Sequence, residues 1–230
     1  ENHNIPVVFT STSDVYHNHD DFLEDSSVTF GPTYVERFSY ALSKWFEEQL
    51  YFNKFHEGKI KVSIARIFGC FSENSKVGWS AGHMPIFIQK AIQNKDIVIH
   101  GDGLQTRSLS HVSDIVEGLI QMGIKFSKVN GQILNLGSSE EITILDCAKQ
   151  IIKACNSKSK IIFISEQDAH GVGYTDIRRR YANTQKAKRL IGYETKIKFE
   201  EGLNIVLDKI RDDATDNHYL GDLEKARKKI

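Results

Sequence analysis

Long apolar runs, net charge and paired cysteines are all missing from this chain of 230 residues. No stretch approaches the 18 or so consecutive apolar residues that a membrane span needs, and no secretory segment opens the chain, so no membrane partner is expected. Thirty basic residues balance thirty acidic ones, which leaves no global field to draw the protein to nucleic acid or to a lipid surface. The three cysteines, Cys70, Cys147 and Cys155, are an odd number without metal-ligand spacing. They read as reduced thiols in a reducing, cytoplasmic compartment. His17-Asn18-His19 offers two close histidines without a third ligand, so no metal is expected. Sixteen glycines are present, yet nowhere as Gly-x-x-Gly-x-x-Gly. Gly101-x-Gly103 has Thr106 where the next glycine belongs. Gly171-x-Gly173 has Asp176 in that slot and no strand before it, so neither is a dinucleotide fingerprint.

What is there alternates. Strand-like runs at Pro6–Phe9, Lys61–Ile67, Ile97–His100, Gln132–Leu136 and Lys160–Ile164 are separated by helical patterns, which argues an α/β fold with a parallel sheet. A helix over Glu36–Phe55 puts Phe38, Leu42, Trp45 and Gln49 on one stripe and Tyr40, Lys44 and Glu47 on another. Thr143 is a candidate N-cap for a helix whose apolar positions Ile144, Leu145, Ala148, Ile151 and Ile152 follow the helical period. Further helices are expected at Asp114–Met122 and Gly202–Ile210.

Tyr40 and Lys44 carry the chemical signal. Four residues apart on a helix, the phenol and the ammonium share a face one turn apart. A phenol titrates near 10 and is a poor base at neutral pH. Bringing it near 7 takes roughly 4 kcal/mol, which a fixed neighbouring cation can supply. Upstream, the apolar run Val7–Phe9 stops abruptly in the hydroxyls of Thr10-Ser11-Thr12-Ser13. A strand ending in hydroxyls, followed by a helix with Tyr-x-x-x-Lys, suits removal of a proton from a sugar alcohol while hydride leaves its carbon.

With these residues in place, the chain resembles the extended short-chain dehydrogenase/reductases of the NAD-dependent nucleotide-sugar epimerase/dehydratase family. The resemblance runs from residue 5 to about residue 210. It rests on Thr10-Ser-Thr-Ser-Asp-Val-Tyr16, Tyr40-Ala-Leu-Ser-Lys44, Arg66-Ile-Phe-Gly-Cys-Phe-Ser72 and Gly101-Asp-Gly-Leu-Gln-Thr-Arg107. Val112-Ser-Asp114, Asn135-Leu-Gly137 and Asp176-Ile-Arg-Arg-Arg180 follow, the last leading into Lys186-Ala-Lys-Arg-Leu-Ile-Gly192. Three positions depart from the family pattern: His17 and Ser72 replace glycines, and Gly69 replaces an asparagine that touches the sugar nucleotide.

The resemblance implies the C-terminal part of a Rossmann-type parallel sheet plus a smaller α/β substrate-binding domain, cut from a longer enzyme whose glycine loop lies upstream. Residues 1–72 would complete the NAD-binding domain. Residues 73–213 would be mainly the substrate domain, with 111–137 returning to the Rossmann sheet, and 214–230 a polar tail. Thr12 would hold the reacting sugar oxygen, Tyr40 would be the base, and Lys44 would lower the tyrosine pKa and bond the nicotinamide ribose of NAD. Gly69, Arg107 and Arg180 fall at substrate-binding positions, Arg107 at the diphosphate and Arg180 at the sugar. Arg178 and Arg179 are expected to be solvated, and Asp114 to be a structural cap. A nucleoside-diphosphate sugar, UDP-linked, is the expected substrate, and a homodimer contacting through the Tyr40 helix is the family expectation.

Reaction type turns on Ser13 and Asp14. Four-epimerisation through a 4-keto sugar needs only Thr12, Tyr40, Lys44 and NAD. Decarboxylation of UDP-glucuronate or 4,6-dehydration would also use Ser13, Asp14 or Arg180. Asp14 is one methylene shorter than the glutamate typical of the latter two, which places a UDP-sugar 4-epimerase slightly ahead. A non-catalytic sugar-nucleotide-binding fragment is the remaining alternative.

Overall fold

A computed structural model describes residues 5–17, 21–28, 30–31, 38–75, 82–171 and 176–215. His19, Gly173 and the expected tail from residue 216 onward lie outside the described residues. The first half of the chain runs β1 (Pro6–Thr12), a 3-10 turn (Ser13–Tyr16), α1 (Phe38–His56), β2 (Lys61–Ile67), β3 (Cys70–Phe71), α2 (His83–Ile92), β4 (Ile97–His100), β5 (Thr106–Arg107) and β6 (Ser110–His111). It continues with α3 (Val112–Ile124), α4 (Phe126–Val129), β7 (Ile133–Leu136), β8 (Ile142–Thr143), α5 (Ile144–Ala154), β9 (Ile161–Ile164), α6 (Glu166–His170), β10 (Arg179–Arg180), α7 (Gln185–Ile191) and α8 (Phe199–Thr215).

The principal sheet has the order β1-β2-β7, parallel throughout. Its middle strand β2 is buried from Val62 to Arg66, as a parallel strand covered on both faces must be. Helix α1 connects β1 to β2 and packs against both, while α3 lies on β1 and β2 and α7 on β7. Ala65, Leu134 and Leu136 of the sheet meet Ile115 and Met122 of α3 and Ile191 and Tyr193 around α7. Each fully buried Leu or Ile here contributes about 2 kcal/mol.

A second core joins α2, α5 and α8. Met84, Phe87 and Ile88 pack with Cys147, Ala148 and Ile151, with Leu203 and Val206, and with Ile97 and Ile99 of β4. β4 pairs in parallel with β9, and β10, β5 and β8 form a small mixed sheet. Thr143 caps α5 as expected, accepting from Asp146 N at 2.9 Å. Helix α7 stops at Gly192, whose φ of +74° is the left-handed terminator that glycine adopts without a Cβ penalty.

Two expectations need correction. The buried face of α1 is Phe38, Ala41 and Glu48, with Trp45 half-buried, whereas Leu42 and Gln49 are exposed. The reason is Glu48: it pairs with buried Arg66 on β2, which turns the helix away from an all-apolar stripe. Asp114 does not cap its own helix, whose N-cap is His111. Its carboxylate instead accepts from Lys196 N and Ile197 N at 3.0–3.1 Å, tying α3 to the segment before α8.

Candidate active site

The C-terminal end of β1 sets the site. Thr12 ends the strand with extended backbone (φ −134°, ψ 150°), and its Oγ1 accepts from Asp14 N at 3.2 Å. The hydroxyl thus caps the 3-10 turn 13–16 while keeping its own proton to donate. Ser13 is buried in that turn. His17, just after it, has φ +51° and ψ −120°, a conformation that disfavours any residue but glycine. This is the backbone demand behind the family's glycine at that position; in this chain the imidazole sits edge-on to Phe38, with centroids 4.9 Å apart.

Behind the turn lies a polar network that is wholly internal. Tyr16 Oη donates to Asn135 Oδ1 at 2.7 Å, and Asn135 Nδ2 donates to the carbonyls of Phe22 and Asn183 at 2.8 and 3.1 Å. Arg66 donates to both Glu48 oxygens at 3.0 and 2.7 Å and stacks 4.6 Å above the Tyr16 ring. Burial pushes the Tyr16 phenol up to about 12 despite Arg66 beside it, so Tyr16 stays a neutral donor. The network anchors α1 to β2 and to the turn, and so fixes the helix that carries Tyr40.

Tyr40 and Lys44 stand on the open side of α1. Tyr40 is 45 % exposed, and Lys44 Nζ lies 3.0 Å from Glu47 and 4.8 Å from the Phe9 ring centroid on β1. The lysine therefore lies over the middle of β1. Ser11 Oγ, next to the end of β1, is buried and has no hydrogen-bond partner among the described residues.

Asp14 and Arg180, far apart in sequence, are brought together: Arg180 Nη1 lies 2.5 Å from Asp14 Oδ1. Both are only partly accessible, at 16 % and 36 % of the side chain. Arg107 is not left open. It donates to the carbonyls of Thr106 and Ile177 at 2.8 Å and to Asp176 Oδ2 at 2.6 Å. Arg178 pairs with Asp102 and Arg179 with Glu141, both at the surface, and Arg179 covers Tyr181. Gly69 has a steric role. A Cβ there would lie 2.4 Å from the Ser108 carbonyl oxygen, because Gly69 O and Ser110 N are hydrogen-bonded where β3 meets β6. An asparagine side chain would need that segment to move.

Composition alone gave no sign of a cavity of about 240 Å³ beside Arg107, lined by His83, Lys90, His100, Gln105, Glu166 and His170 among others. Its histidines are scattered in the sequence, and only folding of α2, β4 and α6 around it collects them. Among the described residues no three His, Cys, Asp or Glu side chains are grouped as a metal site. No described helix is long and apolar enough to cross a membrane.

Comparison with known proteins gives this geometry its context. The family model described as GDP-mannose 4,6 dehydratase matches residues 1–206. A UDP-N-acetyl-alpha-D-glucosaminuronate decarboxylase of Bacillus cytotoxicus is 35 % identical over 207 residues, covering 90 % of this chain and 64 % of that protein. Among solved structures, Pal from Bacillus thuringiensis superposes with a TM-score of 0.78 at 26 % identity, covering 92 % of this chain and 64 % of its own. The UDP-glucuronic acid 4-epimerase of Bacillus cereus, solved with UDP-glucuronic acid and NAD, shares the fold at a TM-score of 0.72 and 22 % identity, over 90 % of this chain and 62 % of its own. This chain thus spans a little under two thirds of the length of each. With its parallel sheet, its Thr12 turn and its Tyr40–Lys44 helix in the family's order, the chain belongs to the NAD-dependent nucleotide-sugar epimerase/dehydratase family of extended short-chain dehydrogenase/reductases.

Proposed function

We propose that this protein forms the catalytic and sugar-binding part of an NAD-dependent enzyme acting on a UDP-linked uronate, oxidising C4 and then releasing the C6 carboxylate as carbon dioxide. The observation that carries this reading is Arg180 beside Asp14 at the Thr12 turn. A guanidinium there can pair bidentately with a substrate carboxylate. The homologous decarboxylase of Bacillus cytotoxicus supports the same chemistry. Epimerisation at C4, slightly favoured by the shortened side chain of Asp14, is the second reading; it would leave Arg180 binding the carboxylate without loss of carbon.

NAD fits the residues present at its nicotinamide-ribose end. The unpartnered buried Ser11 hydroxyl and Thr12 lie at the carboxyl end of β1, where α/β sheets bind such ligands, and α1, which carries Tyr40 and Lys44, packs against β1 and the turn after it. Bound NAD would accept a hydride from C4 and later return it. Tyr40 takes the C4 hydroxyl proton, Lys44 favours the phenolate, and Thr12 orients the oxygen. The resulting 4-ketone is β to the carboxylate, so the C5–C6 bond can break with its electron pair passing to the carbonyl oxygen as an enolate. Arg180 holds the carboxylate until it leaves, and a proton returns to C5. Tyr40 finally reprotonates O4.

The exposed Leu42, Phe46 and Leu50 of α1, 39 %, 59 % and 47 % accessible, form one apolar row that suits a second copy of the chain. Incubation with NAD and UDP-glucuronate, followed by product analysis, tests the reaction. Carbon dioxide and a UDP-pentose are expected. A C4 epimer with its carboxylate retained would favour the second reading, and no change in the sugar would refute both.

A further inference from the structure

The cavity beside Arg107 holds an arrangement that the reaction does not use. His100, at the end of β4, and His170, at the end of α6, place Nδ1 and Nε2 2.9 Å apart, with ring centroids 4.7 Å apart and planes at 76°. Both rings line the same cavity as Lys90, Gln105, Arg107, Glu166 and Asp176. We propose that His100 and His170 act together as a one-proton site in the cavity wall, so that the diphosphate of a nucleoside-diphosphate sugar binds more tightly as the pH falls. This rests on the functional reading above, which supplies the ligand class.

The geometry limits the pair to one extra proton. Two neutral imidazoles at this separation share a single N–H, and one added proton makes that bond charge-assisted. A second would set two N–H donors face to face. The pair therefore titrates as a unit, between net charges of zero and plus one.

The other groups facing it leave the sign to this pair. Lys90 and Arg107 are offset by Glu166 and Asp176, and Arg107 is already bonded to Asp176. Glu166 is itself held by Asp176 N at 3.0 Å. Asp102 and Arg178, on the turn after β4 and before β10, neutralise each other. His83 is kept neutral by burial, which takes it down to about 4, with Arg107 adding to the effect. Burial and then His170 also lower the pKa of His100, which favours its neutral form in the empty cavity. A diphosphate in the cavity stabilises the protonated form, and binding takes up a proton.

The test is calorimetric titration with UDP-glucose from about pH 8 to about pH 5.5. Its diphosphate is capped at both ends and lacks the second ionisation near 6 of a terminal phosphate. Uridine serves as the uncharged control. UDP-glucose affinity should rise by roughly tenfold across the imidazole range, with uptake of up to one proton, since linkage allows at most tenfold per pH unit for one proton. Uridine affinity should stay flat, and both His100→Gln and His170→Gln should flatten the UDP-glucose profile. A flat wild-type profile, or affinity falling with pH, would overturn the proposal whatever the variants do. Failure of UDP-glucose to bind at any pH would also overturn it, whereas the functional reading falls only if UDP-glucuronate is neither bound nor turned over.

Discussion

Replacing Glu48 by glutamine isolates the buried ion pair that seats the Tyr40 helix. Glu48 and Arg66 are 2 % and 4 % exposed, and the guanidinium makes two hydrogen bonds to that one carboxylate. Arg66 also donates to the Glu24 carbonyl at 3.3 Å and stacks on the Tyr16 ring, with the Glu24 carboxylate nearby. Glutamine keeps the shape and one acceptor but removes the carboxylate to which the buried cation is bonded twice. Breaking such a pair from one side costs about 3–5 kcal/mol, which in a chain of this size lowers the melting temperature by roughly 10 °C. Urea denaturation of Glu48→Gln would read the loss as a shifted midpoint at unchanged slope. The double variant Glu48→Leu/Arg66→Met should recover most of it, because a well-packed apolar pair avoids the desolvation cost altogether. A loss below about 1 kcal/mol in the single variant, the size of an exposed pair, would refute the claim that this contact anchors α1.

Three further outcomes follow from the same structure. Gly69→Ala puts its Cβ 2.4 Å from the Ser108 carbonyl oxygen, an overpacking cost of about 2 kcal/mol that denaturation will show. His83 titrates near 4 when folded and near 6.5 when unfolded. The unfolded state therefore binds more protons between those values, and up to about 3 kcal/mol of stability is lost as pH falls from 6.5 to 4. His83→Asn should remove that share of the pH dependence. Asp14→Asn removes the carboxylate that occupies Arg180; it should tighten binding of UDP-glucuronate relative to UDP-glucose by several-fold, measured by titration with each, and an unchanged ratio would show that Arg180 does not meet the sugar.

Much of the frame was legible in the chain. The limits of β2 and β4 and the capping of α5 by Thr143 follow from patterning that local chemistry enforces. Helix α2 carries no such alternation: Met84, Pro85, Phe87, Ile88 and Ala91 are all buried, so its apolar face is too broad to announce a period. The two-residue strands β3, β5, β6, β8 and β10 are too short to leave a pattern at all. The stripe drawn through Leu42 and Gln49 failed because hydrophobicity scales place a glutamate outside, and only the fold supplies Arg66 to bring Glu48 in. Tyr40, Lys44 and Thr12 could be proposed from the sequence because their spacing is local. The Asp14–Arg180 contact and the grouping of the histidines around the cavity could not, since each joins segments far apart in the chain that only folding brings together.

The central claim is that Tyr40 takes the C4 hydroxyl proton of a UDP-linked uronate, and a single comparison tests it most directly. Wild type and Tyr40→Phe would be incubated with NAD and UDP-glucuronate deuterated at C4, while substrate affinity is measured in parallel. The account predicts loss of carbon dioxide with wild type and a UDP-pentose that keeps the deuterium at C4, without net accumulation of NADH. With Tyr40→Phe, turnover should fall by at least about 100-fold, the usual scale of a lost general base, at nearly unchanged affinity. Equal turnover by the two proteins would contradict it.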